Sequence, residues 1–281
     1  SVSMKITVLI ENTAPEYLKC EHGLSIYIAY NEKCYLLDTG SSDIFMDNAE
    51  VLKTKLENVD AAFLSHGHYD HSGGFEAFFE KNKSAKVYLQ EISKELCYKN
   101  VDGVQKYIGL PKDLLQRYSD RFVYVTKKCQ VDDGVWIVPH STKGLEEYGK
   151  RAHMYRKQGE GYVVDDFAHE QSIVIESQKG LIVFNSCSHG GIVNIVDEVH
   201  HAFPNEQVYA VVGGFHLKGI HGVDSLSVTE EEVIDIGASL FQRGVSYIYT
   251  GHCTGRPAFD ILKREFGEKV QYLCTGTTIT F

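Results

Sequence analysis

The chain has no run of apolar residues near the roughly 18 needed to cross a bilayer, and no basic-then-apolar segment close to its start. It has no CxxC pair, and its seven cysteines (20, 34, 97, 129, 187, 253 and 274) are odd in number and scattered. That pattern argues against a disulfide scaffold in so long a chain and suits a reducing compartment, so a cytoplasmic protein is expected. A basic excess is also lacking. Lys and Arg number 28 against 38 Asp and Glu, and the formal charge of −10 argues against a nucleic-acid groove. No Gly-rich phosphate loop is present. What is there is globular in character: 43% hydrophobic and 23% charged, which excludes a disordered or fibrous chain. At about 150 residues per domain the 281 residues suggest two domains, but one layered α/β fold also reaches this size. One residue type is abundant, with 13 histidines.

The first stretch reads as strands at Ile6–Ile10, Ser25–Tyr30 and Cys34–Leu37, broken by turn signals at Gly23 and Asn31-Glu32. Ser42 or Asp43 is positioned to cap a helix running toward Leu56. A short strand, Ala61–Leu64, runs straight into Ser65-His66-Gly67-His68-Tyr69-Asp70-His71-Ser72-Gly73-Gly74, followed by a helix at Phe75–Lys81 and a strand at Lys86–Leu89. Residues 90–165 are polar and rich in Tyr and Lys. Helical pieces are expected there at Ile92–Tyr98 and Lys112–Tyr118, strands at Phe122–Thr126 and Val135–Pro139, and a loop at Lys143–Gly161, the whole acting partly as a lid. From Ser172 an α/β rhythm returns. A hairpin (Ser172–Glu176 and Leu181–Phe184) precedes an amphipathic helix after Gly190-Gly191, a strand at Val208–Val212 and a helix at Glu230–Arg243 capped by Thr229. A strand at Val245–Tyr249, a helix opened by Pro257 and a strand at Val270–Leu273 follow. Ser1-Val2-Ser3, ahead of Met4, are set aside. In both halves polar residues fall just after strands: Asp38 and His66–His71 in one, His189, His216 and His252 in the other. This suggests two β layers with helices outside.

The segment from His66 to His71 puts three imidazoles and a carboxylate within six residues at a strand end. Such donors suit Zn²⁺, Fe or Mn, and the lack of a Cys pair argues against a closed structural zinc finger. Gly67 permits a tight backbone between ligands, and Gly73-Gly74 lets the following helix pack closely.

This segment resembles the HxHxDH signature of the metallo-β-lactamase fold hydrolases, and Leu37-Asp38-Thr39-Gly40 resembles the strand end before it. Glu170-Gln171-Ser172, Cys187-Ser188-His189-Gly190-Gly191-Ile192, Gly213-Gly214-Phe215-His216-Leu217 and Gly251-His252-Cys253-Thr254-Gly255 are similar to the branch related to a dihydropterin-ribofuranosyl-aminobenzene-phosphate synthase. The resemblance implies an α/β (α+β) chain, a four-layer αββα sandwich. It would form a single domain over 4–281 with a polar insertion at about 90–165. It implies metal ligands His66, His68, Asp70, His71, His189 and His252, holding one or two zinc ions, with Fe or Mn as alternatives. Where most dinuclear members carry a bridging Asp, this chain has Ser186-Cys187-Ser188-His189, which leaves Cys187 open as a thiolate ligand or a bystander. His169 is open as a ligand, a supporting residue or a surface histidine.

Asp70 would orient a metal-activated water and take its proton, and His216 would contact substrate or donate a proton. Asp38 is expected to hold an imidazole N–H or the loop backbone. Arg256 is a weak candidate for an anionic group. His22, His140, His153, His200, His201 and His221 read as bystanders. The expected activity is hydrolysis of an ester, thioester, lactone or phosphodiester of a small molecule, an anionic one being drawn by the metals. The alternatives are a pterin-related condensation and a non-catalytic metal-binding sensor.

Overall fold

The computed structural model describes residues 3–281; Ser1 and Val2 lie outside the described residues. The chain divides into two compact units, residues 3–126, 143–171 and 274–281 in one and 127–142 with 172–273 in the other.

The first unit is organised by a seven-stranded sheet. Its order is Thr278–Thr280, Met4–Ile10, Ser25–Tyr30, Lys33–Leu37, Ala61–Phe63, Lys86–Gln90 and Phe122–Val125. Ser25–Tyr30 and Lys33–Leu37 form a hairpin whose turn residues, Asn31 and Glu32, both have positive φ (51° and 65°). That backbone matches the twist of a two-residue hairpin, and Asn tolerates it. Beyond the hairpin the sheet is parallel, so Lys33–Leu37 and Ala61–Phe63 end on one edge. Asp38 and the histidine turn therefore leave the sheet side by side. Helix Phe45–Val51 takes Ile44 at its N-cap and no side-chain cap; Ser42 instead donates its hydroxyl to Glu21, so neither expected cap is used. Helix Phe75–Lys81 buries Phe75, Phe78 and Phe79 in the core beneath it. A Cβ on Gly73 would overlap the Ser41 carbonyl, and one on Gly74 would overlap the Phe45 ring, as close packing there requires.

The region 90–165 departs from expectation in two places. Ile92–Tyr98 is not a helix: a single turn at Glu91–Lys94 leads into strand Cys97–Val101. The expected loop at Lys143–Gly161 contains helix Glu146–Ala152, ended by His153 at φ 58°, and strand Met154–Gln158. These strands pair in the order Gly161–Val164, Met154–Gln158, Cys97–Val101, Val104–Tyr107, a four-stranded sheet of the first unit. Pairing partners more than 50 residues apart override the local helical pattern, as tertiary context commonly does.

The second unit has its own seven-stranded sheet, ordered Val270–Tyr272, Tyr247–Thr250, Val208–Val212, Gly180–Phe184, Gln171–Ser177, Val135–Pro139 and Cys129–Asp132. The expected hairpin, Gln171–Ser177 with Gly180–Phe184, is present. Helices Ile192–Ala202, Glu230–Gln242 and Arg256–Phe266 bury Val196, Leu240 and Leu262 with Val183, Val211 and Ile248 of the sheet. Thr229 caps its helix by accepting from Glu232 N at 3.1 Å. A small hairpin, Lys218–Gly219 with Gly222–Leu226, was not anticipated. Gly180–Phe184, Val208–Val212 and Tyr247–Thr250 run parallel, so the loops bearing His189, His216 and His252 leave one edge of this sheet. In open α/β sheets that carboxyl edge is the usual place for a site.

Candidate metal centre

In the first unit the rings of His66, His68 and His71 pack together, with His66 centred 4.6 Å from His68 and 4.3 Å from His71. All three are buried, as are Asp70 and Asp38. Asp38 organises the group. Its Oδ1 accepts from Ser65 N at 2.7 Å, and its Oδ2 accepts from His71 Nδ1 at 2.7 Å and from Ser65 Oγ at 2.6 Å. Having spent its proton on Asp38, the Ser65 hydroxyl accepts from His66 Nδ1 at 2.7 Å. One carboxylate thus places the Nδ1 proton of both His66 and His71, leaving each Nε2 as the donor atom for a cation. Asp38 has φ 60°, a backbone state uncommon for a non-glycine residue and maintained here by these bonds.

Charge follows the same layout. Burial, with His71 and His68 close by, holds His66 well below the ordinary imidazole range, and burial pushes His68 down to about 3. Burial therefore favours the neutral form of both rings. His71 differs: burial opposes its charge, but Asp70 and Asp38 outweigh it and lift His71 to about 10. His71 Nε2 lies 3.3 Å from Asp70 Oδ2, within ion-pairing distance. Asp70 has a second neighbour, His22, whose Nε2 is 3.2 Å from the same oxygen. Asn12 Nδ2 donates to His22 Nδ1 at 3.1 Å, which leaves the proton on Nε2, directed at Asp70. His22, read from sequence as a bystander, therefore holds Asp70; nothing in its local pattern marks it.

His68, Cys97, Asp165 and His169 form a second buried group in this unit, their ligand-type atoms within 4.8 Å of one another. His169 accepts from Gly67 N at Nδ1 (2.9 Å) and donates from Nε2 to Asp165 Oδ2 (2.9 Å). Gly67 is not sterically required, since a Cβ there would meet only Cys97 and His169 at an ordinary 3.5 Å.

In the second unit His189 and His216 have ring centroids 4.3 Å apart. Ser188, His216 and His252, each just beyond a strand, have φ of 51°, 50° and 51°. Three strained residues at strand ends are a recurrent mark of functional loops. Cys187, His252 and Cys253 bring their ligand-type atoms within 4.8 Å of one another and are all buried. Burial would raise the Cys253 thiol, but hydrogen bonds with Cys187 and His216, and His252 beside it, hold it well below its ordinary value. Cys253 went unmarked in the sequence beyond its place next to a histidine. Arg256 lies over the Tyr272 ring at 5.0 Å and reaches toward Asp260, half-exposed. His140 is buried rather than at the surface. Its Nδ1 lies 2.9 Å from Glu198 Oε1, both side chains are about 95% buried, and its ring packs against Gly190 where a Cβ would overlap it.

The donor set of the first unit, three imidazoles with one carboxylate, the Nδ1 of His66 and of His71 held by hydrogen bonds, fits a borderline divalent cation. Residues 18–183, more than half of the chain, match the family model of the metallo-β-lactamase superfamily. The chain belongs to this superfamily. Metal dependence goes with the superfamily, and the α/β class expected from the signature is that of its fold. Over 273 residues the chain is 28% identical to 7,8-dihydropterin-6-methyl-4-(beta-D-ribofuranosyl)-aminobenzene-5'-phosphate synthase of Methanocaldococcus jannaschii, covering 93% of this chain and 90% of that protein. An uncharacterised protein of the same organism is 26% identical over 263 residues, 92% and 94% of the two chains. The solved structure of Tm1679, described as a metal-dependent hydrolase of the β-lactamase superfamily, superposes with a TM-score of 0.83 at 28% identity, covering 98% of each chain. YhfI of Bacillus subtilis, at 12% identity and a TM-score of 0.59 over the whole of both chains, shares the fold alone. Among the described residues no helix is long and apolar enough to cross a membrane.

Proposed function

We propose that this metallo-β-lactamase superfamily member is a metal-dependent hydrolase of a small-molecule ester, thioester, lactone or phosphodiester. The observation that carries the reading is the Asp38–Ser65 network, which gives His66 and His71 the tautomer that a metal ligand needs. The ligands we propose are His66, His68, Asp70, His71, His189 and His252, with zinc as the ion, one or two bound, and iron or manganese as alternatives. A bound divalent cation supplies Lewis acidity and a water whose pKa falls to about 7.

The chain's own groups do the rest. His66 and His68, kept neutral by burial, present lone pairs rather than protons. Asp70, its Oδ2 braced by His22 and His71, orients the attacking water and takes its proton. His216, against His189, donates to the leaving group or polarises the substrate oxygen. A chain of net charge −10 draws an anionic substrate through its metals, whose local charge outweighs the overall field.

A second reading rests on the M. jannaschii synthase, as similar in sequence as Tm1679. In it the same centre binds the phosphate or pyrophosphate of an activated substrate, and a C–N or C–C bond joins the pterin to its acceptor as the C–O bond to that phosphate or pyrophosphate breaks and it leaves. Metal analysis of protein purified without added metal, followed by a panel of phosphodiester, thioester and lactone substrates and a pterin with a phosphorylated acceptor, tests both. Hydrolysis of one panel class by the metal-loaded chain is expected. Condensation without hydrolysis would favour the second reading, and a full metal complement with no turnover of any kind would overturn both.

A further inference from the structure

His68, Cys97, Asp165 and His169 look at first like a four-ligand metal site, but one hydrogen bond decides against it. Gly67 N is a main-chain N–H and can only donate, so His169 Nδ1, 2.9 Å away, must be the unprotonated nitrogen. The ring's proton is then on Nε2, where it points to Asp165 Oδ2 at 2.9 Å and lies 3.7 Å from Cys97 Sγ. A cation on Nε2 would need that proton moved to Nδ1, setting two N–H groups against each other in a fully buried place. Both nitrogens of His169 are committed to the protein.

The other end of the chain of contacts is equally fixed. Asp165 Oδ1 accepts from Phe167 N at 2.8 Å and from Arg156 Nε at 3.1 Å. Arg156 stands on strand Met154–Gln158 opposite Cys97 and pairs in addition with Asp166 at 2.9 Å and with Glu95. Phe167 is held at φ 56°, rare for a bulky residue, by the bond from its N–H to Asp165. Buried polar chains of this kind, with every member paired, specify one geometry.

We propose that His169 is the positioning residue of the His66–His71 turn. Held by Asp165 and Arg156, it pins the main chain at Gly67, sets the spacing of His66 and His68, and ties that turn to the four-stranded sheet. The proposal rests on the metal-centre reading. It places metal retention, rather than ligand count, under the control of a residue 102 positions away from Gly67.

The test uses the full chain loaded with Co²⁺, read by bound-metal stoichiometry, by the visible cobalt spectrum and by the rate of metal loss to a chelator. His169→Ala and Asp165→Asn should keep the wild-type stoichiometry yet lose cobalt about 10- to 100-fold faster, the usual penalty for removing a group that orients ligands. His169→Asn puts an amide oxygen where Nδ1 stood and should restore most of the retention. His169→Gln, which keeps an N–H toward Asp165 but no acceptor for Gly67, should not. If the alanine variant fails to fold, the Asn and Gln pair still decides the matter. Loss of one metal equivalent in the Ala and Asn variants alike would make His169 a ligand and overturn the proposal. So would unchanged release in His169→Ala, or equal retention by the Asn and Gln variants. A wild-type chain that binds no Co²⁺ would overturn the metal-centre reading and this inference with it.

Discussion

Replacing Asp38 by Asn changes one atom and tests the site's hydrogen-bond logic. Asp38 accepts three hydrogen bonds, from Ser65 N, Ser65 Oγ and His71 Nδ1, and is wholly buried. Ser65 N can only donate, so the single oxygen of Asn must stay opposite it. The amide NH₂ then faces the Ser65 hydroxyl and His71 Nδ1. To avoid two opposed N–H groups, His71 must become an acceptor at Nδ1 and carry its proton on Nε2, the nitrogen proposed to hold the cation. A hydrogen bond to a charged group contributes about 1.5–3 kcal/mol, and removing a carboxylate behind a ligating imidazole costs about 10- to 100-fold in metal affinity. That range equals about 1.4–2.8 kcal/mol. Competition with a chelator at fixed pH should therefore show at least a tenfold loss for Asp38→Asn.

Proton release is an independent readout. Burial opposes the charge on His71, but Asp70 and Asp38 lift it to about 10 in the metal-free chain, so it is protonated at pH 7 and metal must displace that proton. With one of its two carboxylate partners neutralised, Asp38→Asn should release fewer protons on binding, measured by calorimetry in buffers of different ionisation enthalpy. Wild-type affinity together with wild-type proton release would refute the claim that Asp38 sets the tautomer.

Further outcomes follow from single contacts. Glu198 accepts from His140 Nδ1, Ser141 N, Thr142 N and Thr142 Oγ1, and Glu198→Gln should cost about 2–4 kcal/mol in denaturant unfolding; a loss within about 0.5 kcal/mol would contradict it. Burial would raise Glu198, but His140 and Thr142 outweigh it and hold the folded value below 4.5, so its contribution is present above the unfolded value and fades as pH falls through the folded one. The gap between wild type and Glu198→Gln should accordingly narrow in acid. Gly73→Ala should destabilise by about 3 kcal/mol or more, because its Cβ would overlap the Ser41 carbonyl, whereas Gly67→Ala should cost under about 1 kcal/mol. Equal thermal shifts for the two glycine variants would refute the packing account. His22→Ala, which removes the donor to Asp70 Oδ2, should lower kcat while leaving metal stoichiometry intact; loss of metal instead would make His22 part of the ligand shell.

What the sequence determined alone is whatever rests on neighbours along the chain. Asn31-Glu32 sufficed for a turn between two strands, the spacing of Ile192, Ile195, Val196 and Val199 for their helix, and Thr229 for its cap. The His66–His71 turn declared its chemistry because all its donors lie within six residues. Only the tertiary structure decided the partners of those donors. His169 meets Gly67 across 102 positions, His140 meets Glu198 across 58, and Asp38 meets His71 across 33. Strand Cys97–Val101 was misread for the same reason, since its pairing with Met154–Gln158 leaves no local trace. A buried hydrogen bond is chosen by whichever group the fold brings within about 3 Å, and the direction of each proton is set by the donor it meets there. The candidate donors of the His66–His71 turn could be nominated from their spacing along the chain; their tautomers, which bear on whether they can hold a cation, required the fold.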